Sequence, residues 1–193
     1  MSINLSKNST ISLTKEVEKL SNITVGLGWD VAKAKNKGFF ASLFSSSTID
    51  LDASCLLIDE HRQVLDSVWF RQLKSECLAV QHQGDNTTGE GDGDDEQIKI
   101  NLKNLPKAVK YIAITVNSFT GQTFDKVDNA FCRVLDQSSK EICRVTLNDQ
   151  GSHTGIYIGL LSRNNEEWNF TSKAITTNGQ NVKQIASTVV QHI

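Results

Sequence analysis

The sequence predicts an all-β fold: an antiparallel β-sandwich with a short C-terminal helix, in a single domain over residues 1–193. Three observations carry this. Short apolar or alternating segments recur along the chain with turn residues between them, the pattern of a sandwich. One segment alone, residues 182–191, has helical spacing, with Val182, Ile185, Ala186 and Val189 on one side. The length of 193 residues allows one sizeable core, and a single proline among 12 glycines gives no sign of disorder along the chain.

In chain order, residues 10–13 alternate and residues 23–29 are apolar with two glycines. Residues 49–58 and 64–70 form a hairpin around Asp59-Glu60-His61-Arg62. Leu78-Ala79-Val80 has strand character, and residues 98–102 alternate. Tyr-Ile-Ala-Ile-Thr-Val at 111–116 reads as a central strand buried on both faces. Residues 130–135 and 141–147 flank the turn Asp136-Gln137-Ser138-Ser139, while residues 155–161 and 168–174 flank Asn164-Asn165-Glu166. The helix at 182–191 is expected to pack on a sheet edge. Residues 33–47 interrupt the series: basic, then aromatic, then serine-rich, and long for a loop. Phe39, Phe40, Leu43 and Phe44 there either dock a partner or a membrane surface, or fold back on the core.

Composition excludes several classes. A net charge of −2 without a basic stripe argues against nucleic acid as a partner. No signal peptide and no apolar run of membrane-spanning length is visible, so a cytoplasmic location is expected, with any membrane contact indirect. Cys55, Cys77, Cys132 and Cys143 form no C-x-x-C pair and have no His at zinc spacing, so they read as small buried hydrophobes.

Residues 84–96, GDNTTGEGDGDDE, hold six carboxylates (Asp85, Glu90, Asp92, Asp94, Asp95 and Glu96) and no Lys or Arg, so the rest of the chain sums to +4. Four glycines let the backbone turn sharply, and Asn86 adds a short oxygen ligand. Oxygen-rich, flexible loops suit a hard cation such as Ca²⁺. A solvated, mutually repelling acidic loop is the plain alternative, against which stand the flanking strands. An EF-hand does not fit, because Thr87 and Gly89 occupy ligand positions, Glu90 replaces the required glycine, and the flanks are strands. A phosphate loop fits worse, since six carboxylates repel an anion. Asp30, which ends GLGWD, and Asp50 and Asp52, two apart at the head of a strand, supply a second acidic wall. Asp125, Asp128 and Asn129 lie in another connection and are set apart from the site.

These stretches together resemble the TerD-domain family of tellurite-resistance and stress-response proteins, with the TerZ branch the nearest pattern. The resemblance rests on GLGWD at 26–30, IDLDASCLL at 49–57, VWF at 68–70, GDNTTGEGDGDDEQI at 84–98, LPKAVKYIAITVNSF at 105–119, NAFCRVLD at 129–136 and TGIYIGLLSRNNEEWNF at 154–170. It implies a β-sandwich that binds Ca²⁺, commonly two ions, through acidic loops at one end, and partners among other TerD-family or Ter-system proteins. It carries over Asp30, Asp50, Asp52, Asp85, Asn86, Glu90, Asp92, Asp94, Asp95 and Glu96 as candidate ligands. Gln83, where the family more often has Ser, and Asn178-Gly179-Gln180-Asn181 near the C-terminus depart from the pattern. The competing reading is a metal-dependent hydrolase or phosphotransferase using Mg²⁺ or Mn²⁺ at the same acids, with His82 beside the loop.

Overall fold

Strands that alternate in burial and strands buried along nearly their whole length together build two facing sheets. The computed structural model describes residues 2–32, 49–84, 86, 93–147 and 151–193. The strands are β1 (Ile3–Asn4), β2 (Thr10–Ser12), β3 (Asn22–Val31), β4 (Leu51–Ile58), β5 (Val64–Val68) and β6 (Val80–His82). They continue with β7 (Glu96–Asn101), β8 (Tyr111–Ser118), β9 (Val127–Leu135), β10 (Glu141–Thr146), β11 (Gly155–Asn164) and β12 (Glu167–Thr177). A single helical turn, α1 (Leu13–Glu16), follows β2, and α2 (Val182–Gln191) follows β12. Sheet I has the order β1-β10-β9-β3-β7-β6 and sheet II the order β2-β12-β11-β8-β4-β5.

Between the sheets pack Val25, Leu27 and Trp29 of β3, Ile98 and Ile100 of β7, Cys55 and Leu57 of β4, and Ile112, Ile114 and Val116 of β8. β8 is central in sheet II and buried along nearly its whole length, as its unbroken apolar run predicts. The hairpins close on side-chain oxygens. Asp59 Oδ1 accepts from the N–H groups of His61 and Gln63, and Asp136 Oδ1 from those of Ser138 and Lys140. Cys55, Cys132 and Cys143 lie buried in this core, and Cys77 is half-buried. Burial pushes all three buried thiols up, that of Cys143 to about 12, which keeps them protonated and unreactive.

Three features differ from expectation. The sandwich is antiparallel except at one edge, where β1 pairs parallel with β10, Ile3 opposite Cys143. Leu78 and Ala79 belong to a turn, with Leu78 at positive φ and largely exposed, and the strand begins at Val80. Helix α2 lies over the outer face of sheet II and not at an edge. Val182, Ile185 and Val189 bury against Leu56, Ile58, Ala113, Tyr157 and Leu160, the outward-facing residues of β4, β8 and β11. Helical spacing shows which side of α2 is apolar but not which surface covers it. Residues 33–48, including the expected docking segment, lie outside the described residues.

The fold gathers the acids at one end. β6 and β7 are antiparallel neighbours, His82 opposite Ile98, so the acidic stretch is their hairpin connection. Leu27 of β3 sits opposite Glu96 on the other side of β7, which brings the end of β3 alongside. The head of β4 closes the end from sheet II.

Candidate functional site

Glu96, the first residue of β7, points into the space between the sheets and is 2% exposed. Its Oε2 accepts the Ala53 N–H at 2.6 Å, and its Oε1 accepts the Asn86 N–H at 3.3 Å. The first of these bonds joins the two sheets, because Ala53 lies on β4. His82 stands beside it with a fully buried ring: Nδ1 accepts the Gly84 N–H at 3.2 Å, and Nε2 faces Glu96 Oε2 at 3.4 Å, a close polar contact looser than an aligned hydrogen bond. Burial raises the Glu96 carboxyl above the ordinary range, against the bonds from His82, Ala53 and Asn86 that favour its charge.

Asp95 is the second node. A bulge between Gly28 and Asp30 shifts the β3–β9 register at Trp29, whose N–H donates to Asp95 Oδ2 at 2.8 Å. Asn86 Nδ2 donates to Asp95 Oδ1 at 3.1 Å, so Asn86 spans both acids, one through its side chain and one through its backbone. Burial raises the Asp95 carboxyl, and the neighbouring charges of Asp30 and Asp94 raise it further against the Trp29 bond. Asp30 is exposed and accepts from Asn129 Nδ2 at 2.7 Å, which draws into the acidic end a residue that sequence reading set apart.

Asp94 is directed elsewhere. Its carboxylate is fully buried against the outer face of sheet I, where Oδ1 pairs with Arg133 Nε at 2.7 Å and Oδ2 accepts from Gln97 Nε2 at 2.9 Å. It lies across Gly26, where a β-carbon would collide with the carboxylate. A β-carbon on Gly28 would stand 2.6 Å from the Gly93 carbonyl oxygen and 2.5 Å from the Phe131 ring. The two glycines of GLGWD therefore make a flat track on which the end of the acidic stretch rests.

Arg133 continues to Glu141 (Nη1 to Oε2, 3.4 Å), which holds Arg144 through two contacts of 3.1 and 2.8 Å, and Arg144 stacks over Phe131 at 4.1 Å. Arg144 above all, with Ser2 and Arg133, lowers the Glu141 carboxyl to about 2. A lowered carboxyl stabilises the fold above its unfolded value, and that contribution disappears as pH falls through the folded value. Denaturation of wild type and Glu141→Gln should therefore differ by a constant amount above about pH 5, a difference that shrinks from the ordinary glutamate range down to about pH 2. A difference unchanged across that window would remove the pairing from the stability of the sheet.

Asp52 sits on β4 opposite Asn117 of β8, nearly fully buried, and accepts from Asn117 Nδ2 at 3.2 Å. It shares the outward face of sheet II with Ser54, Leu56 and Ile58. Asp50 precedes the strand, is partly buried, and its carbonyl accepts the Phe119 N–H at 3.2 Å. Asp85, Glu90 and Asp92 lie outside the described residues.

Donor chemistry at this end is carboxylate and amide oxygen, which suits a hard cation and not a thiophilic metal. Two carboxyls raised chiefly by burial, that of Asp95 further by the charges of Asp30 and Asp94, mark a place where positive charge would be stabilising. Among the described residues, no three acids, histidines or cysteines converge closely enough to hold a metal ion by themselves. They supply part of a ligand set. Sequence reading missed the His82–Glu96 pair, the Arg133 partner of Asp94, and Asn117. The signals were an Arg on β9 opposite Gly26, and an amide side chain in a central strand rich in β-branched residues.

Comparison with known proteins agrees with this architecture. The TerD domain pattern matches residues 1–188. The chain is 50% identical over 192 residues to the tellurium resistance protein TerZ of Serratia marcescens, covering 99% of this chain and 98% of that one. It is 37% identical over 200 residues to the stress response protein SCP2 of Bacillus subtilis strain 168, covering 98% and 100%. The crystal structure of a homologue of the telluride resistance protein TerD from Streptomyces coelicolor A3(2) superposes with a TM-score of 0.69 at 18% identity, over 86% of this chain and 95% of that one, and supports the fold. Among the described residues, no helix is long and apolar enough to cross a membrane. With a pattern match over nearly its whole length and relatives aligned end to end, the chain belongs to the TerD-domain family, whose named members include tellurium-resistance and stress-response proteins.

Proposed function

We propose that the acidic end of this sandwich binds Ca²⁺, two ions in all, and that the bound cations order this end as a surface for other TerD-family or Ter-system proteins. In this reading the protein acts in the cytoplasm, without enzymatic activity of its own, in tellurite and related stress resistance. The observation that carries it is the pair Asp95 and Glu96, bridged by Asn86, both carboxyls raised by burial at the base of an acidic hairpin loop. Such charge is costly without a counter-ion, and a cation relieves it. In this reading Asp30, Asp50, Asp52, Asp85, Asn86, Glu90, Asp92, Asp95 and Glu96 are the candidate ligands, of which Asn86, Asp95 and Glu96 are joined by hydrogen bonds. Asp94 contributes by holding the loop on sheet I through Arg133. Bound Ca²⁺ supplies charge neutralisation and tolerates the irregular oxygen geometry that such a loop offers.

His82 favours this reading over a hydrolase. Its ring is fully buried, with Nδ1 taken up by the Gly84 N–H and Nε2 facing only Glu96, which suits positioning that carboxylate better than exchanging protons with a substrate.

Calorimetric titration of metal-stripped protein should show Ca²⁺ binding in preference to Mg²⁺. Thermal unfolding should shift upward with Ca²⁺, by the equivalent of about 2.7 kcal/mol at a hundredfold excess over Kd. No heat and an unchanged Tm would overturn the proposal.

A further inference from the structure

Two stretches quoted above have no part in the acidic loop: VWF at 68–70, and the phenylalanine that closes residues 105–119. The fold brings them together. Trp69 and Gln72 exchange both backbone hydrogen bonds, at 3.1 and 2.9 Å, so Phe70 and Arg71 form the tip of a tight turn just after β5. Asp66 ties down the base of that turn: Oδ1 accepts from the Ser67 N–H and from Gln72 Nε2, and Oδ2 from the Glu76 N–H. Phe119 directly follows β8, and its N–H donates to the Asp50 carbonyl at the head of β4. Phe70 meets Trp69 and Phe119 edge to face, with 5.1 Å between ring centres in both pairs.

The Arg71 guanidinium rests in this nest, its carbon 5.8, 5.2 and 5.5 Å from the ring centres of Trp69, Phe70 and Phe119. Lys183 reaches the same indole from α2, with Nζ at 5.8 Å. Both cations are exposed. Among the described residues the ion pairs are made by His61, His82, Arg133 and Arg144, and neither Arg71 nor Lys183 takes part in one. Asp66, on the strand before the turn, has both oxygens engaged in the bonds above. Lys183 also stands in the first turn of α2, where the helix dipole disfavours a cation, and that turn holds no acid. Arg71, Lys183 and the start of α2 thus bring positive charge to one half-buried indole, and rings rather than carboxylates hold it. A guanidinium steadied on aromatic faces keeps its N–H groups for a carboxylate and has little side-chain freedom left to lose.

We propose that this nest is a docking site for an acidic segment of a partner protein, with one carboxylate on Arg71, another near Lys183, and an apolar side chain against Phe70 and Phe119. Phe119 is 37% exposed and offers the open apolar surface. A short segment suits the nest better than a bilayer does. An anionic membrane is extended, and it would bring its headgroups against the carboxylates at the head of β4, whereas a peptide can reach Arg71 alone. The site is separate from the acids of the preceding proposal and stands whether or not they bind Ca²⁺.

Two-dimensional NMR on the full chain tests this, with the peptide acetyl-Asp-Phe-Glu-Leu-Asp-amide as probe and its Asn/Gln counterpart as control. The acidic peptide should shift the amides at 69–72, 119 and 183, the control should not, and added salt should weaken the binding. Arg71→Ala should weaken it about tenfold or more, the loss expected for a charged hydrogen-bonded pair. Arg71→Lys should fall between, because it keeps the charge and loses the planar fork. Lys183→Ala, on a different element, should weaken binding less than Arg71→Ala does. No shift at these amides, equal binding of the control, or full affinity in Arg71→Ala overturns the docking site. Arg71-dependent sedimentation with phosphatidylglycerol vesicles, without binding of the peptide, assigns the nest to a membrane surface and overturns it equally.

Discussion

Glu96→Leu is expected to lower stability by roughly 3 kcal/mol, the cost of breaking a buried polar cluster by removing one member. Leucine fills similar space but leaves the Ala53 N–H, the Asn86 N–H and the inward nitrogen of His82 facing an apolar group. Glu96→Gln keeps one acceptor oxygen and should cost less. The two variants also separate packing from charge. Because burial raises the Glu96 carboxyl, the folded protein holds a proton that the unfolded chain has released, and this group's contribution to stability falls as pH rises above the ordinary glutamate range. The stability of metal-stripped wild type should therefore decline relative to Glu96→Gln as pH rises through that window. Urea denaturation at several pH values measures both effects. A loss below about 1 kcal/mol in Glu96→Leu would mean that this carboxylate is not what joins the sheets at the acidic end.

Gly28→Ala should also cost about 2–3 kcal/mol, the upper range for overpacking. The added methyl meets the Phe131 ring, which can swing, and the Gly93 carbonyl, which is backbone and cannot move without taking the loop with it. Displacing Gly93 shifts Asp94 away from Arg133 and Asp95 away from Trp29. The variant should accordingly lose Ca²⁺ affinity as well as stability. Denaturation with and without Ca²⁺ reads both, and near-wild-type stability in Gly28→Ala would show that the loop does not rest on β3.

Much of the architecture was legible because local signals agreed with one another. Val182, Ile185 and Val189 mark a helix whose ends match the structure. The run from Tyr111 marks a central strand, and Asp59 and Asp136 mark hairpins by the oxygens they offer. What escaped depends on partners far along the chain. Six acids in one loop read as one group, yet Asp94 answers to Arg133, 39 positions away, and turns from its neighbours. Asn117 looks like an ordinary strand residue until register sets it opposite Asp52. Two residues at 3–4 are too few for periodicity to show, and their pairing is decided wholly by β10.

That parallel edge has a consequence for how the chain assembles. Ser2 bonds to Glu141 across 139 positions, and Ile3 waits for Cys143 before it has any neighbour in its sheet. Closing so large a loop yields little until the ladder between β9 and β10 already exists, so this edge is expected to zip last, after the slow collapse usual for folds dominated by distant pairings. Residues 2–4 are thus among the latest to find their place in the sheet.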